Sequence, residues 1–215
     1  TSRQFSTTTT ATGDASSISP TIGTSNLGSP RLRVLLIRHG ESSNNILNEI
    51  SFSHYTKYRQ PDPKLTPLGV KQAEATASYL SGKECSPLLK DLNEIYVSPF
   101  RRTLETAAII GSTKYLAKSP ILWPDIYEVG GAYTGISPHT SAEKGMTKKE
   151  IREMFPMVHL KDMENIQLEP TLDVFHGDES GWYKDIGQES LPDAVARIGN
   201  VANRLRRMSE NLDIE

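Results

Sequence analysis

Arg38-His39-Gly40-Glu41 stands directly behind an apolar run, Val34-Leu35-Leu36-Ile37. A neutral imidazole is a nitrogen nucleophile. The arginine before it carries a planar fork of donors that fits an oxyanion. The glycine after it lets the chain turn sharply and lets a ligand come close to the backbone. Together these residues suit a histidine that attacks phosphorus while arginine holds the phosphate oxygens. The apolar run, bounded by a glycine, reads as a buried strand of an α/β sheet. A histidine at the carboxyl end of such a strand lies where open α/β sheets form their ligand crevices.

The elements that must position this histidine follow from caps and periods. Thr66 caps a helix with Pro67 at its first position. Leu68, Ala73, Ala77 and Leu80 give that helix an apolar stripe, and Gly82 suits its end. Glu94-Ile95-Tyr96-Val97 reads as a second strand. Ser98 then caps a second helix with Pro99 at its first position and Leu104, Ala108 and Ile109 facing inward. Ile121-Leu122 reads as a short third strand, and residues 124–146, rich in Gly, Pro and Thr, as loop. Thr147-Lys148-Lys149-Glu150 is a capping box for a short helix that Pro156 closes. Residues 157–190 show no clean period. Ser190 to Met208 reads as a last helix with Val195, Ile198, Ala202 and Leu205 on its inner face. Strands alternating with helices argue for an α/β fold, a three-layer α/β/α sandwich around a mostly parallel central sheet.

The run Arg38-His39-Gly40-Glu41-Ser42-Ser43-Asn44-Asn45 resembles the signature of the histidine phosphatase superfamily, the phosphoglycerate mutase-like enzymes. That signature reads Arg-His-Gly, then Glu or Gln, then Ser or Thr, and closes on an Asn where Asn45 stands. Ser98-Pro99-Phe100-Arg101-Arg102-Thr103-Leu104-Glu105-Thr106-Ala107 resembles the superfamily's second box, with Arg102 on the phosphate-binding arginine. Physics favours that placement. The first turn of a helix at a strand end points free N–H groups and a partial positive charge at the crevice. Arg101 has the i, i+4 spacing to pair with Glu105 instead. Leu65-Thr66-Pro67-Leu68-Gly69 with Gln72 matches the superfamily's helix start and is read as structural.

The resemblance also implies an acid after the third strand. In Asp125-Ile126-Tyr127-Glu128-Val129-Gly130-Gly131 the better match is Glu128, with Asp125 the alternative. The implied chemistry runs through a phosphohistidine on His39. Arg38 and Arg102 clamp the phosphoryl group, Glu128 serves the leaving oxygen and then water, and Asn45 contacts substrate. The arginines supply the positive charge that other phosphoryl-transfer enzymes take from a metal, so neither a metal nor an organic cofactor is expected.

The superfamily's second pocket histidine sits late in the chain, in an apolar-His-Gly strand end after a helix. His176-Gly177 has the dipeptide but precedes the last helix and follows a poor strand, Asp173-Val174-Phe175. The expected strand and histidine lie beyond Glu215, so residues 31–215 read as a C-terminally truncated superfamily domain. His54, His139 and His159 stand in polar or loop contexts, where a solvated ring is the default. Gly145-Met146-Thr147 and Gly181-Trp182-Tyr183 resemble plant and protist phosphoglycerate mutase-like proteins, with Trp182 and Tyr183 read as packing anchors. Arg204, Arg206 and Arg207 read as a solvated cluster at a helix end.

Composition sets the outer bounds. The chain has 215 residues and a net charge of −2, so nucleic acid is not an expected partner. No apolar run approaches the ~20 residues needed to span a bilayer, and no membrane partner is expected. A single cysteine, Cys85, excludes an intrachain disulfide and fits a reducing compartment. Residues 1–30 are mostly Ser, Thr, Gly and Ala and read as a disordered tail. They start at Thr1 rather than Met, and Arg3-Gln4-Phe5-Ser6 looks like the end of a transit peptide. The expected compartment is intracellular, either the cytoplasm or a mitochondrial or plastid matrix.

The leading expectation is a phosphomonoesterase acting on a phosphorylated small molecule or a phosphoprotein. A phosphoglycerate mutase is the runner-up. Asn44, where classical mutases carry an aromatic residue, disfavours it. A non-catalytic phosphate-binding regulator of the same fold is the third reading.

Overall fold

The computed structural model describes residues 32–89, 92–112, 118–136, 139–160, 179–183 and 187–211. The Ser/Thr-rich tail and His176 lie outside the described residues. Behind the His39 motif come helices α1 (Ser43–Ile50) and α2 (Phe52–Tyr58). Helix α3 (Pro67–Leu80) starts as its sequence dictates: the Thr66 hydroxyl accepts from Gly69 N, and Pro67 opens the first turn. It buries Gly69, Ala73, Ala77 and Leu80, four positions on one stripe. Leu68 lies off that stripe and is exposed, contrary to expectation. After α4 (Ser86–Leu89), β1 (Tyr96–Val97) pairs in parallel with β2 (Ile121–Leu122).

Between those strands runs α5 (Arg101–Gly111). It begins later than expected. Phe100, not Ser98, occupies the N-cap and offers no capping oxygen. The Asp62 carboxylate caps from a distance instead: its Oδ1 accepts from Arg101 N at 2.7 Å. Residues 124–146, read as loop, contain a 3-10 turn (Pro124–Ile126) and an antiparallel hairpin of β3 (Tyr133–Ile136) and β4 (His139–Ala142). Helix α6 (Lys148–Met154) carries the expected capping box, with Glu150 Oε2 accepting from Thr147 N at 2.7 Å. Helix α7 (Leu191–Asn211) closes the described chain.

The main core gathers Val97, Phe100, Leu104, Leu122, Ile151, Phe155, Trp182 and Tyr183. Trp182 is 2% exposed and meets the rings of Phe100, Tyr127 and Tyr183, so it and Tyr183 are packing anchors. Cys85 is buried in a second cluster with Ala77, Leu80 and Ile110.

Three expectations need correction. Val34–Ile37 is not a buried strand. The run forms no strand or ladder, and Leu36 is 88% exposed. Both sides of β2 are taken, one by β1 and the other by the His159 segment, with Leu122 N donating to His159 O at 3.0 Å. No place beside β2 is left for it. Among the described residues the parallel sheet is two short strands. Helix α7 turns a different face inward: Ala194 and Arg204 are buried, while Val195 and Ile198 are exposed. Arg204, expected in solvent, lies with its guanidinium carbon 4.6 Å from the Trp123 ring centre. No described helix is long and apolar enough to cross a membrane.

Candidate active site

Two glycines set the position of His39. A Cβ on Gly40 would lie 2.2 Å from Gly69 O, and one on Gly69 would lie 2.0 Å from Glu41 O. Only two bare backbones can approach this closely. The turn is then pinned on both sides. Gly40 N donates to Thr106 Oγ1 on α5 at 3.2 Å, and Glu41 N donates to Gln72 Oε1 on α3 at 2.7 Å. Gly69 and Gln72 are thus structural, as the sequence implied, and they act on the turn that carries His39.

The imidazole is held in one tautomer. His39 Nδ1 lies 2.6 Å from Gly40 O, which can only accept, so Nδ1 carries the proton. Arg102 Nε lies 3.0 Å from His39 Nε2, and a guanidinium can only donate. Nε2 therefore bears the free lone pair. Burial pulls the pKa of His39 below its usual 6.5; the Gly40 carbonyl opposes this, and Arg102 and Arg38 reinforce it. The ring is neutral and nucleophilic at neutral pH.

Arg102 sits in the first turn of α5 and is 4% exposed. Its other end, Nη2, lies 2.5 Å from Glu128 Oε2. Burial disfavours its charge, and the carboxylates of Glu128 and Asp62 counter that. One guanidinium thus bridges the expected nucleophile and the expected acid. Glu128 has a 73% exposed side chain, so its carboxylate faces both Arg102 and solvent. Asp125 stands in the 3-10 turn before it, and its carbonyl accepts from Arg197. Arg38 is exposed and forms no hydrogen bond or ion pair among the described residues. Arg101 pairs with Glu105 at 2.9 Å, as its spacing implied. Asn45 turns its Oδ1 back onto Ser42 N and Oγ, both at 2.8 Å, at the start of α1.

The Glu128 segment is braced from below. The Arg197 guanidinium holds Glu189 through two 2.7 Å bonds and donates to the Asp125 and Tyr127 carbonyls. Gly130 and Gly131 have φ of 99° and 69°, and a Cβ on Gly131 would run into the Tyr183 ring. Two further groups escape sequence reasoning. Asp62, in Pro61-Asp62-Pro63, caps α5 beside Arg102. Arg59 lies over the Tyr133 ring, 3.5 Å from its centre. Neither stands in a motif or on a periodic face, so only the folded chain brings them to the site.

A family model described as the histidine phosphatase superfamily, branch 1, matches residues 34–214. The comparison with curated proteins gives no match. Among solved structures, an Escherichia coli protein described as "a putative alpha-ribazole-5'-P phosphatase" is similar at 15% identity and a TM-score of 0.41. The alignment covers 80% of this chain and 66% of that one, so the chain spans about two thirds of that protein's length.

Proposed function

The chain belongs to the histidine phosphatase superfamily, branch 1, and on that premise we propose that it hydrolyses phosphomonoesters through a phosphohistidine on His39. One observation carries the reading: an unprotonated, neutral Nε2 that accepts at 3.0 Å from a buried arginine, which also touches a carboxylate. His39 Nε2 attacks phosphorus, and the ester P–O bond breaks. Glu128 gives its proton to the departing alkoxide. In the second half, Glu128 takes a proton from water, the water oxygen bonds to phosphorus, and the N–P bond breaks to release phosphate. Arg102 and Arg38 balance the charge on the equatorial oxygens. Asn45 stands beside the motif as a substrate contact. The substrate is a phosphorylated small molecule or phosphoprotein, met in the cytoplasm or an organelle matrix. The same membership supports a three-layer arrangement about a mostly parallel sheet for the whole domain.

The test is hydrolysis of p-nitrophenyl phosphate in the presence of a chelator. We expect turnover by the chain and a loss of at least about a thousandfold in His39→Ala. Equal rates in the two proteins would sink the proposal.

A further inference from the structure

Arg59 is a buttressed cation that forms no ion pair with a carboxylate among the described residues. Its backbone neighbour Gln60 is bolted to the motif helix: Gln60 N donates to Asn44 Oδ1 at 2.8 Å, and Asn44 Nδ2 returns a 2.8 Å bond to Gln60 O. Ser43 Oγ adds a bond to the Gln60 side chain at 3.0 Å. On the far side, Arg59 Nη1 donates to Tyr133 O, and Nε donates to Tyr55 Oη at 3.3 Å. The guanidinium carbon lies over the Tyr133 ring, 3.5 Å from its centre. Tyr133 in turn packs on the turn after Glu128, its Cε1 3.2 Å from where a Gly130 Cβ would stand. Arg59 is thus wedged between the segment that carries His39 and the segment that carries Glu128. Its charge lies close enough to Arg102 to lower that guanidinium's pKa, though less than burial does.

We propose that Arg59 is a second anion-binding group of this site, and that the substrate is a phosphomonoester whose leaving group carries a further acidic group. This rests on the phosphatase reading. The warrant is physical. Two like charges are kept near each other only at a cost, and a surface arginine with no acid partner relaxes into solvent. Here the Asn44 clamp, two hydrogen bonds and an aromatic face hold it in place. The remaining N–H groups of the half-buried guanidinium are uncommitted among the described residues. Such a fork is preorganised for a carboxylate or a phosphate, so little ordering is lost on binding. Asn44, which replaces the aromatic residue of classical mutases, thereby acquires a role as the residue that positions Arg59.

Calorimetric titration with phosphoglycolate, a sugar bisphosphate and inorganic phosphate tests this directly. We expect the wild-type chain to prefer a two-anion ligand over inorganic phosphate by roughly tenfold or more. Arg59→Gln keeps a donor for Tyr133 O and loses the charge; it should bring the preference close to unity. Arg59→Lys should keep part of it. The ligand with the larger loss identifies the second group as carboxylate or phosphate. No preference in the wild type, or an equal preference in folded Arg59→Gln, would overturn the proposal. Failure of the phosphatase reading shows separately, as absent turnover of p-nitrophenyl phosphate.

Discussion

His39 and Arg102 show how two side chains can define each other. The Gly40 carbonyl forces the proton onto Nδ1, and Arg102 then marks Nε2 as the lone pair. A lysine at 102 has a single point of charge and cannot span both Nε2 and Glu128. Arg102→Lys should therefore behave nearly as badly as Arg102→Ala, each losing roughly a hundredfold or more in kcat/KM for p-nitrophenyl phosphate. The pKa of His39 lies below 6.5, so the ring stays neutral as pH falls through that value. The acid limb of kcat/KM due to His39 should lie below pH 6.5 in a pH–rate profile. Asp62 titrates the other way, pushed up from 3.8 to about 6, chiefly by burial. The folded chain holds this proton more tightly than the unfolded one. Its contribution to stability is therefore full below pH 3.8 and is lost as pH rises to about 6. The loss is about 3 kcal/mol. Asp62→Asn keeps an acceptor for Arg101 N and should flatten that part of the curve, read as urea midpoints across the window. At this scale three side chains that meet in the fold, His39, Arg102 and Glu128, were legible as motif positions. Asp62 and Arg59 were not, because each depends on a partner far away in sequence.

At the scale of elements, local chemistry was legible and packing was not. Thr66 with Pro67 and Thr147 with Glu150 start α3 and α6 where their sequences say, since a cap needs only neighbouring residues. The start of α5 shifts because its cap comes from Asp62, distant in the chain. The inner face of α7 differs from the one its period predicts because two arginines lie inward beside Ala194, Val201 and Leu205, while Val195 and Ile198 are exposed. Arg197 lies over Tyr127 and Arg204 over Trp123, and a hydrophobic period cannot register a guanidinium on a ring. The hairpin of β3 and β4 is small and polar, Tyr133-Thr134-Gly135-Ile136 against His139-Thr140-Ser141-Ala142, and carries no alternation to read. One contact between elements is decisive. Gly69→Ala on α3 would force a Cβ onto Glu41 O and move the His39 turn. We expect a loss of roughly 2–4 kcal/mol in urea unfolding, with a fall in activity beyond what the unfolded fraction explains.

Across the whole molecule, the site is a meeting of three segments that are remote in the chain. The 38–41 turn, the first turn of α5 and the 125–131 segment are each fastened by side chains from elsewhere in the chain. Thr106 on α5 and Gln72 on α3 hold the first, Asp62 caps the second, and Arg197 on α7, paired with Glu189, holds the third. That pair is buried, with side chains 11% and 2% exposed. Arg197→Ala would strand the Glu189 carboxylate, and we expect a cost of about 3–5 kcal/mol in chemical denaturation. The family was legible from the first two segments, because each carries its chemistry in a contiguous run. The strand expected at Val34–Ile37 was not formed, because a strand exists only with a neighbour to pair with. The most direct test of the central claim is turnover with a labelled phosphomonoester quenched in alkaline detergent, followed by mapping of the acid-labile, base-stable phosphoryl group. A label on His39, absent from His39→Ala, is the result expected. Hydrolysis with no label on His39, or with a label that survives in His39→Ala, would contradict it.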